Sequence, residues 1–179
     1  MSINEINTKQ TKWLEPKLEN IPEALKGQPW AVWKAEPRLN EDGSPSGKFN
    51  KAPLNPLTGI KVGANKPELF GTFDDAKNAY KTGRYTGIGV LLTGNGVTGV
   101  DIDDAVNLFD KRPEVKKWVK DAINAGVYCE ESPSQTGVRL FLMGALHGRG
   151  KKSGGLEIYD NGRFLTVTGH VIPKKECAA

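Results

Sequence analysis

The sequence predicts a single α/β or α+β domain built on a sheet, and three observations predict it. Apolar runs of strand length recur at Trp30–Lys34, Ile88–Leu92, Val97–Asp103, Val138–Met143 and Leu156–Tyr159, each bounded by Gly, Pro, Asn or Asp. Between them, Thr72–Gly83 and Pro113–Gly126 carry apolar residues at helical spacing with start and stop signals, which argues against an all-β barrel. Finally, 179 residues with 37% hydrophobic content are enough for one core and cramped for two.

Taken in order, residues 1–20 are polar without a clear period and read as a flexible arm, with Trp13 and Leu14 the residues able to anchor it. The domain proper spans 21–173, and 174–179 form a tail. A short helix is expected over Ile21–Lys26, with Pro22 early and Gly27 just past its end. Trp30–Lys34 is a strand whose expected partner is Gly47–Lys51, across the turn-rich Asp42–Ser46. Ala52–Phe70, rich in Pro, Gly and Asn, is expected to be ordered loop. Thr72–Asp75 matches a capping box opening a helix through Tyr80 that Gly83 ends. Ile88–Leu92 and Val97–Asp103 are expected to form a hairpin across Thr93–Gly96. In the helix that Pro113 opens, Trp118 is expected in the core. Val127–Glu130 is a strand, Glu131–Gly137 a tight loop and Gly144–Gly155 a basic loop. Leu156–Tyr159 and Arg163–Thr168 flank Asp160-Asn161-Gly162, a strong hairpin signal.

Composition narrows the function classes. Lys and Arg number 25 against 21 Asp and Glu, a net charge of +4 that suits a polyanionic partner without requiring one. Two cysteines, Cys129 and Cys177, make no disulfide framework, and no Cys/His cluster has zinc-ligand spacing, so a reducing cytoplasm is the expected setting. No leader pattern opens the sequence and no apolar run approaches the ~18 residues of a membrane span.

The chemistry concentrates at Val100-Asp101-Ile102-Asp103. Residues two apart on a strand share a face, so Asp101 and Asp103 point together while Ile102 anchors the other side. Two ionised carboxylates on a mostly buried strand repel and lose hydration unless a divalent cation or a shared proton relieves them. An isolated Asp-x-Asp is better explained by one Asp capping the next helix and the other lying at a solvated strand end. Three further features shift the balance. Arg139 stands alone in the apolar Val138–Met143 and needs an anion, either a structural carboxylate or a ligand phosphate. Before it, Ser132-Pro-Ser134-Gln-Thr136-Gly137 has the hydroxyls and glycine of an anion-binding nest. Glu157, alternating with Leu156 and Ile158, joins the Asp101 and Asp103 face if their strands are neighbours; Asp160 ranks below it because a turn explains Asp by itself.

The order Asp101-Ile-Asp103, Ser134-Gln-Thr-Gly137-Val-Arg139 and Leu-Glu157-Ile-Tyr-Asp-Asn-Gly-Arg163 through Thr168-Gly169, together with Lys51-Ala-Pro53-Leu-Asn55-Pro56-Leu-Thr58-Gly59, resembles the primase-polymerase (Prim-Pol) branch of the archaeo-eukaryotic primase superfamily, especially phage and plasmid forms. The similarity runs from about residue 28 to 172. It implies a mixed sheet with an RNA-recognition-motif-like catalytic part and a smaller N-terminal α/β part, the active site lying in the cleft between them. It further implies Asp101, Asp103 and Glu157 as catalytic ligands of two Mg²⁺ or Mn²⁺, and Ser134 and Arg139 as contacts to the phosphates of the incoming nucleotide. Lys51 and Arg163 are further phosphate or template contacts on the same footing, with solvated surface charge as the alternative. The departure is Arg139 where the family has His; it keeps a phosphate donor but adds permanent charge and a bidentate fork.

The implied activity is that of a mobile-element replication protein. It extends a primer 3′-hydroxyl on single-stranded DNA, or starts primers, from nucleoside triphosphates by two-metal phosphoryl transfer. The loop His147–Lys152 is the expected template contact, and a helicase domain or protein a further partner. Two other readings compete: a metal-dependent nuclease, which needs no triphosphate cradle, and a non-catalytic module that binds nucleotide or DNA in a replication complex.

Overall fold

A computed structural model of the chain describes residues 13–174. The order of elements is α1 (Glu23–Lys26), β1 (Trp30–Trp33), β2 (Glu36–Leu39), β3 (Pro45–Asn50), β4 (Pro53–Leu54), α2 (Phe73–Lys81), β5 (Gly87–Thr93) and β6 (Val97–Ile102). Then follow α3 (Ala105–Lys111), α4 (Pro113–Asn124), β7 (Tyr128–Glu131), β8 (Val138–Met143), β9 (Lys151–Ser153), β10 (Leu156–Tyr159) and β11 (Asn161–Val167). The strands form a four-stranded sheet, β11-β5-β1-β4, a five-stranded sheet, β7-β8-β6-β10-β9, and a separate ribbon, β2-β3.

These pairings correct several expectations. Every pairing among the described strands is antiparallel, so neither main sheet is mixed. The strand expected at Gly47–Lys51 runs over Pro45–Asn50 as β3 and pairs with β2, while β1 lies between β4 and β5. β5 and β6 do not form a hairpin. After Thr93 the chain passes from the four-stranded sheet to the five-stranded one, and after Tyr159 it passes back, so β10 and β11 also lie in different sheets. The two crossings lie side by side: Gly94 donates its N–H to the Asp160 carbonyl at 2.7 Å, and Thr93 pairs with Asn161. Strands that change sheets at such corners let two sheets share one core. They also join the N-terminal part to the rest, because β11 completes the sheet of β1, β4 and β5.

The layers follow from alternation. Trp30, Val32, Ile88 and Val90 pack with Phe73, Ala76 and Ala79 of α2, the Trp30 and Phe73 rings meeting edge to face at 5.0 Å. The same cluster takes in Leu92 and Leu165 of the four-stranded sheet with Val97 and Phe141 of the five-stranded one, so it also fills the space between the sheets. The close approach needs Gly99, where a Cβ would stand 2.3 Å from Leu165 Cδ1. On the far face, Val100, Ile102, Val138 and Leu140 pack against Ala105 and Leu108 of α3 and Val115, Val119 and Ile123 of α4. Those three α4 positions form the buried stripe, which leaves Trp118 39% exposed and not in the core. The helix α3, not among the expected elements, is short and opens from Asp104 in left-handed backbone (φ 47°).

Of the arm expected over 1–20, residues 1–12 lie outside the described residues, as do 175–179 of the tail. From Trp13 onward the segment lies on the domain: Leu14 donates to the Pro133 carbonyl at 3.0 Å and Lys17 to that of Thr168 at 2.8 Å. At α2 the capping box is complete, Thr72 and Asp75 each accepting from the other's backbone N–H. Thr72→Ala is expected to cost about 1 kcal/mol, read as a lower urea midpoint with an unchanged slope.

Candidate active site

Register places the polar residues. Glu130 of β7 lies opposite Arg139 of β8, Arg139 opposite Asp101 of β6, Asp101 opposite Glu157 of β10, and Glu157 opposite Lys152 of β9. Residues directly opposite on antiparallel strands share a face, so these five form one row across the five-stranded sheet, and Arg139 bonds to Thr166 of β11 in the other sheet. Charges alternate along the row except at Asp101 and Glu157, which are adjacent and both negative.

Arg139 is 5% exposed. Its Nε lies 3.0 Å from Asp101 Oδ1, and its Nη1 donates to the carbonyl and hydroxyl oxygens of Thr166. The Asp101 contact is an ion pair without hydrogen-bond alignment, so both buried atoms are held by charge rather than by a directed bond. Arg139, expected to face a phosphate, is therefore turned into the interior, and the structural-carboxylate alternative describes its surroundings. Glu130 was not among the expected site residues. It is fully buried, accepts from the Thr168 and Gly169 N–H groups and from the Tyr128 hydroxyl, and burial raises its carboxyl above the usual range despite those bonds and Arg139.

Asp103 stands one residue past the end of β6, exposed, its N–H donating to the Gly155 carbonyl at 2.9 Å. Its carboxyl is raised above the ordinary value first by desolvation and then by Asp101, with Glu157 adding to the effect and Arg139 and Lys51 opposing it. Asp104, not Asp103, takes the N-cap position of α3. Lys51 lies within the field of both aspartates and is pushed down by burial first and Arg139 second. Its ammonium stands over the Trp13 ring at 5.0 Å and near Trp33 at 6.0 Å, a partly desolvated cation held by aromatic faces. Glu157, 3% exposed, has one carboxylate oxygen on Lys152 and the other on Arg163, whose guanidinium covers the Tyr159 ring at 4.9 Å.

The loop before β8 is pressed onto the end of β6, where a Cβ at Gly137 would stand 2.5 Å from the Ile102 carbonyl. Gln135 adopts left-handed backbone (φ 65°), Ser132 accepts from the Gly137 N–H at 3.0 Å, and Ser134 Oγ lies between Ser132 Oγ at 3.2 Å and Thr136 Oγ1 at 3.0 Å. The Thr136 carbonyl accepts from Ala105, two residues beyond Asp103, at 2.8 Å, so half-buried Ser134 sits in a loop tied beside that carboxylate.

The donor set can be tested against a divalent cation. Asp101 Oδ1 is buried against Arg139 Nε without an aligned donor, and Asp103 is exposed with its carboxyl raised by desolvation and by Asp101, so the groups left for one ion are Asp103 and the Asp101 oxygen that Arg139 does not hold. Glu157 does not join them as found, since both of its oxygens are occupied by cations. Among the described residues no group of three Asp, Glu, His or Cys side chains is gathered closely enough to hold a metal. Also among them, no helix is long and apolar enough to cross a membrane.

Comparison with known proteins adds one finding. No protein-family profile matches the chain. The DNA Primase-polymerase of Nitratiruptor phage NrS-1 is 27% identical over 156 residues, which cover 82% of this chain and 20% of that protein. The chain thus spans about a fifth of the length of that relative, and the similarity supports a primase-polymerase relationship.

Proposed function

We propose that this chain is a nucleotidyl-transfer domain of primase-polymerase type, adding nucleotides to a primer 3′-hydroxyl on single-stranded DNA. The observation that carries the reading is the charge pattern around Asp101 and Asp103. Two carboxylates that fit a cation are bordered by Lys51, Arg163 and Lys152, three cations suited to the phosphates of a nucleoside triphosphate. The primase-polymerase relationship agrees with it.

In this reading Asp101 and Asp103 hold Mg²⁺ or Mn²⁺, and the bound ion supplies Lewis-acid polarisation of the α-phosphate and neutralises charge on the leaving pyrophosphate. Arg139 is a positioning residue that fixes Asp101. Lys51 and Arg163 draw the triphosphate in, and Ser134 donates its hydroxyl to a phosphate oxygen. Glu157 becomes available to a second ion only by releasing Lys152 and Arg163. The basic residues Arg149 and Lys151, beside Lys152, track the template backbone without reading its sequence.

The test is incubation of the protein with a labelled primer annealed to a longer single-stranded template, with and without Mg²⁺ or Mn²⁺ and nucleoside triphosphates. The expected result is elongation that needs both. Shortening of the strand without nucleotides would establish the nuclease reading. Nucleotide binding without turnover under either metal would establish the binding module.

A further inference from the structure

Beside the charged site lies a cavity of ≈ 550 Å³ lined by Trp13, the segment Leu14–Lys17, Glu19, Gln135 and His170. It has two connections to the site. Gln135 follows Ser134 in the loop beside Asp103, and Trp13, in the cavity wall, has Lys51 Nζ 5.0 Å from its ring centroid. The Trp13 ring is fixed by edge contacts with Trp33 and Phe49 at 5.6 and 5.1 Å. The floor is anchored through Leu14 to Pro133, and His170 Nε2 lies 2.8 Å from the Glu15 carbonyl. A rigid half-buried indole beside a cation and a hydroxyl loop is the arrangement that stacks an aromatic ring whose substituent is anionic. The volume exceeds what a nucleobase needs, so a ring stacked on the indole leaves its edge free for the template.

We infer that this cavity receives the nucleobase of the incoming nucleoside triphosphate, with Trp13 as its stacking platform and Lys51 joining base pocket to phosphate site. The inference rests on the nucleotidyl-transfer reading and adds to it a base-stacking wall from the N-terminal segment.

The experiment compares binding of deoxyadenosine triphosphate with that of tripolyphosphate, which has the charge but no base, by calorimetry in Mg²⁺ with the full chain. Trp13→Ala is expected to weaken the nucleotide roughly tenfold and to leave tripolyphosphate unchanged, with Trp13→Phe restoring most of the loss. Unchanged nucleotide affinity in Trp13→Ala overturns the inference and leaves the parent reading standing. Equal weakening of both ligands also overturns it, since Trp13 would then act only through Lys51. A wild-type chain that binds neither ligand overturns the parent reading together with this one. Should Trp13→Ala fail to fold, fluorescence decides. In Trp118→Phe the tryptophans are Trp13 and the buried Trp30 and Trp33, and quenching by the nucleotide beyond that by tripolyphosphate is expected. Equal responses to the two ligands overturn the inference.

Discussion

Arg139→Ala is expected to destabilise the fold by about 3–5 kcal/mol, a large part of the roughly 5–15 kcal/mol that holds a domain of this kind together. The reason lies in the row. Arg139 is the cation between Asp101 and Glu130 on strands β6 and β7, and it also reaches Thr166 in the opposite sheet. Its removal leaves one carboxylate largely buried and the other wholly so, with no guanidinium beside them. Arg139→Lys is expected to recover little, because an ammonium cannot serve Asp101 and Thr166 from two edges of one plane. The discriminating comparison is a double-mutant cycle in urea: Asp101→Leu with Arg139→Met should be less destabilised than the sum of the single variants. Additive losses would show that the pair is not coupled.

The second large effect separates two aspartates that the sequence treats alike. Asp103→Asn is expected to lower nucleotide incorporation by at least about a thousandfold, the loss of ~4 kcal/mol of charge stabilisation in the transition state. Its stability at neutral pH should equal or exceed that of the wild type. The Asp103 carboxyl lies above its ordinary value of 3.8 in the fold, so the folded chain holds that proton more tightly than the unfolded one. Ionisation then opposes folding by an amount that grows as pH rises from 3.8 to the folded value and stays constant above it. Asparagine removes that penalty, and the gain should vanish on acidification below the ordinary range. Asp101→Asn behaves differently: it removes the carboxylate that Arg139 Nε meets at 3.0 Å, leaving Glu130 on the other side, and is expected to lose stability as well as activity. Thermal melts of both variants between pH 3 and 7 read the contrast; equal destabilisation of the two would contradict the placement of Asp103.

What the sequence disclosed, and what it hid, divides along physical lines. Strand and helix signals are local, so the runs at Ile88–Leu92 and Val138–Met143 and the capping box at Thr72 appear where expected. Pairing is not local. Thr93–Gly96 and Asp160–Gly162 have the composition of hairpin turns, yet each hands the chain to another sheet, and β5 and β11 pair with each other rather than with the strands that adjoin them in sequence. Nothing in one strand's alternation names its partner. Asp101 and Glu157 were legible because alternation sets each against apolar neighbours. Glu130 was not, since Glu131 follows it and only the pairing with β8 shows that Glu130 faces Arg139 while Glu131 is exposed. Lys152 was hidden in a run of basic residues, and its role depends on β9 adding to the sheet edge beside β10. Trp118 was misplaced because the α4 stripe of Val115, Val119 and Ile123 is complete without it.

In the proposed function the pair Asp101 and Asp103, flanked by Lys51 and Arg163, is a nucleotidyl-transfer site. Single-nucleotide incorporation into a primed single-stranded template, followed in Mg²⁺ and in Mn²⁺ with wild-type protein and Asp103→Asn at equal folded concentration, tests it most directly. Metal-dependent incorporation by the wild type is expected, with none measurable by the variant. Incorporation by Asp103→Asn at close to the wild-type rate would contradict it.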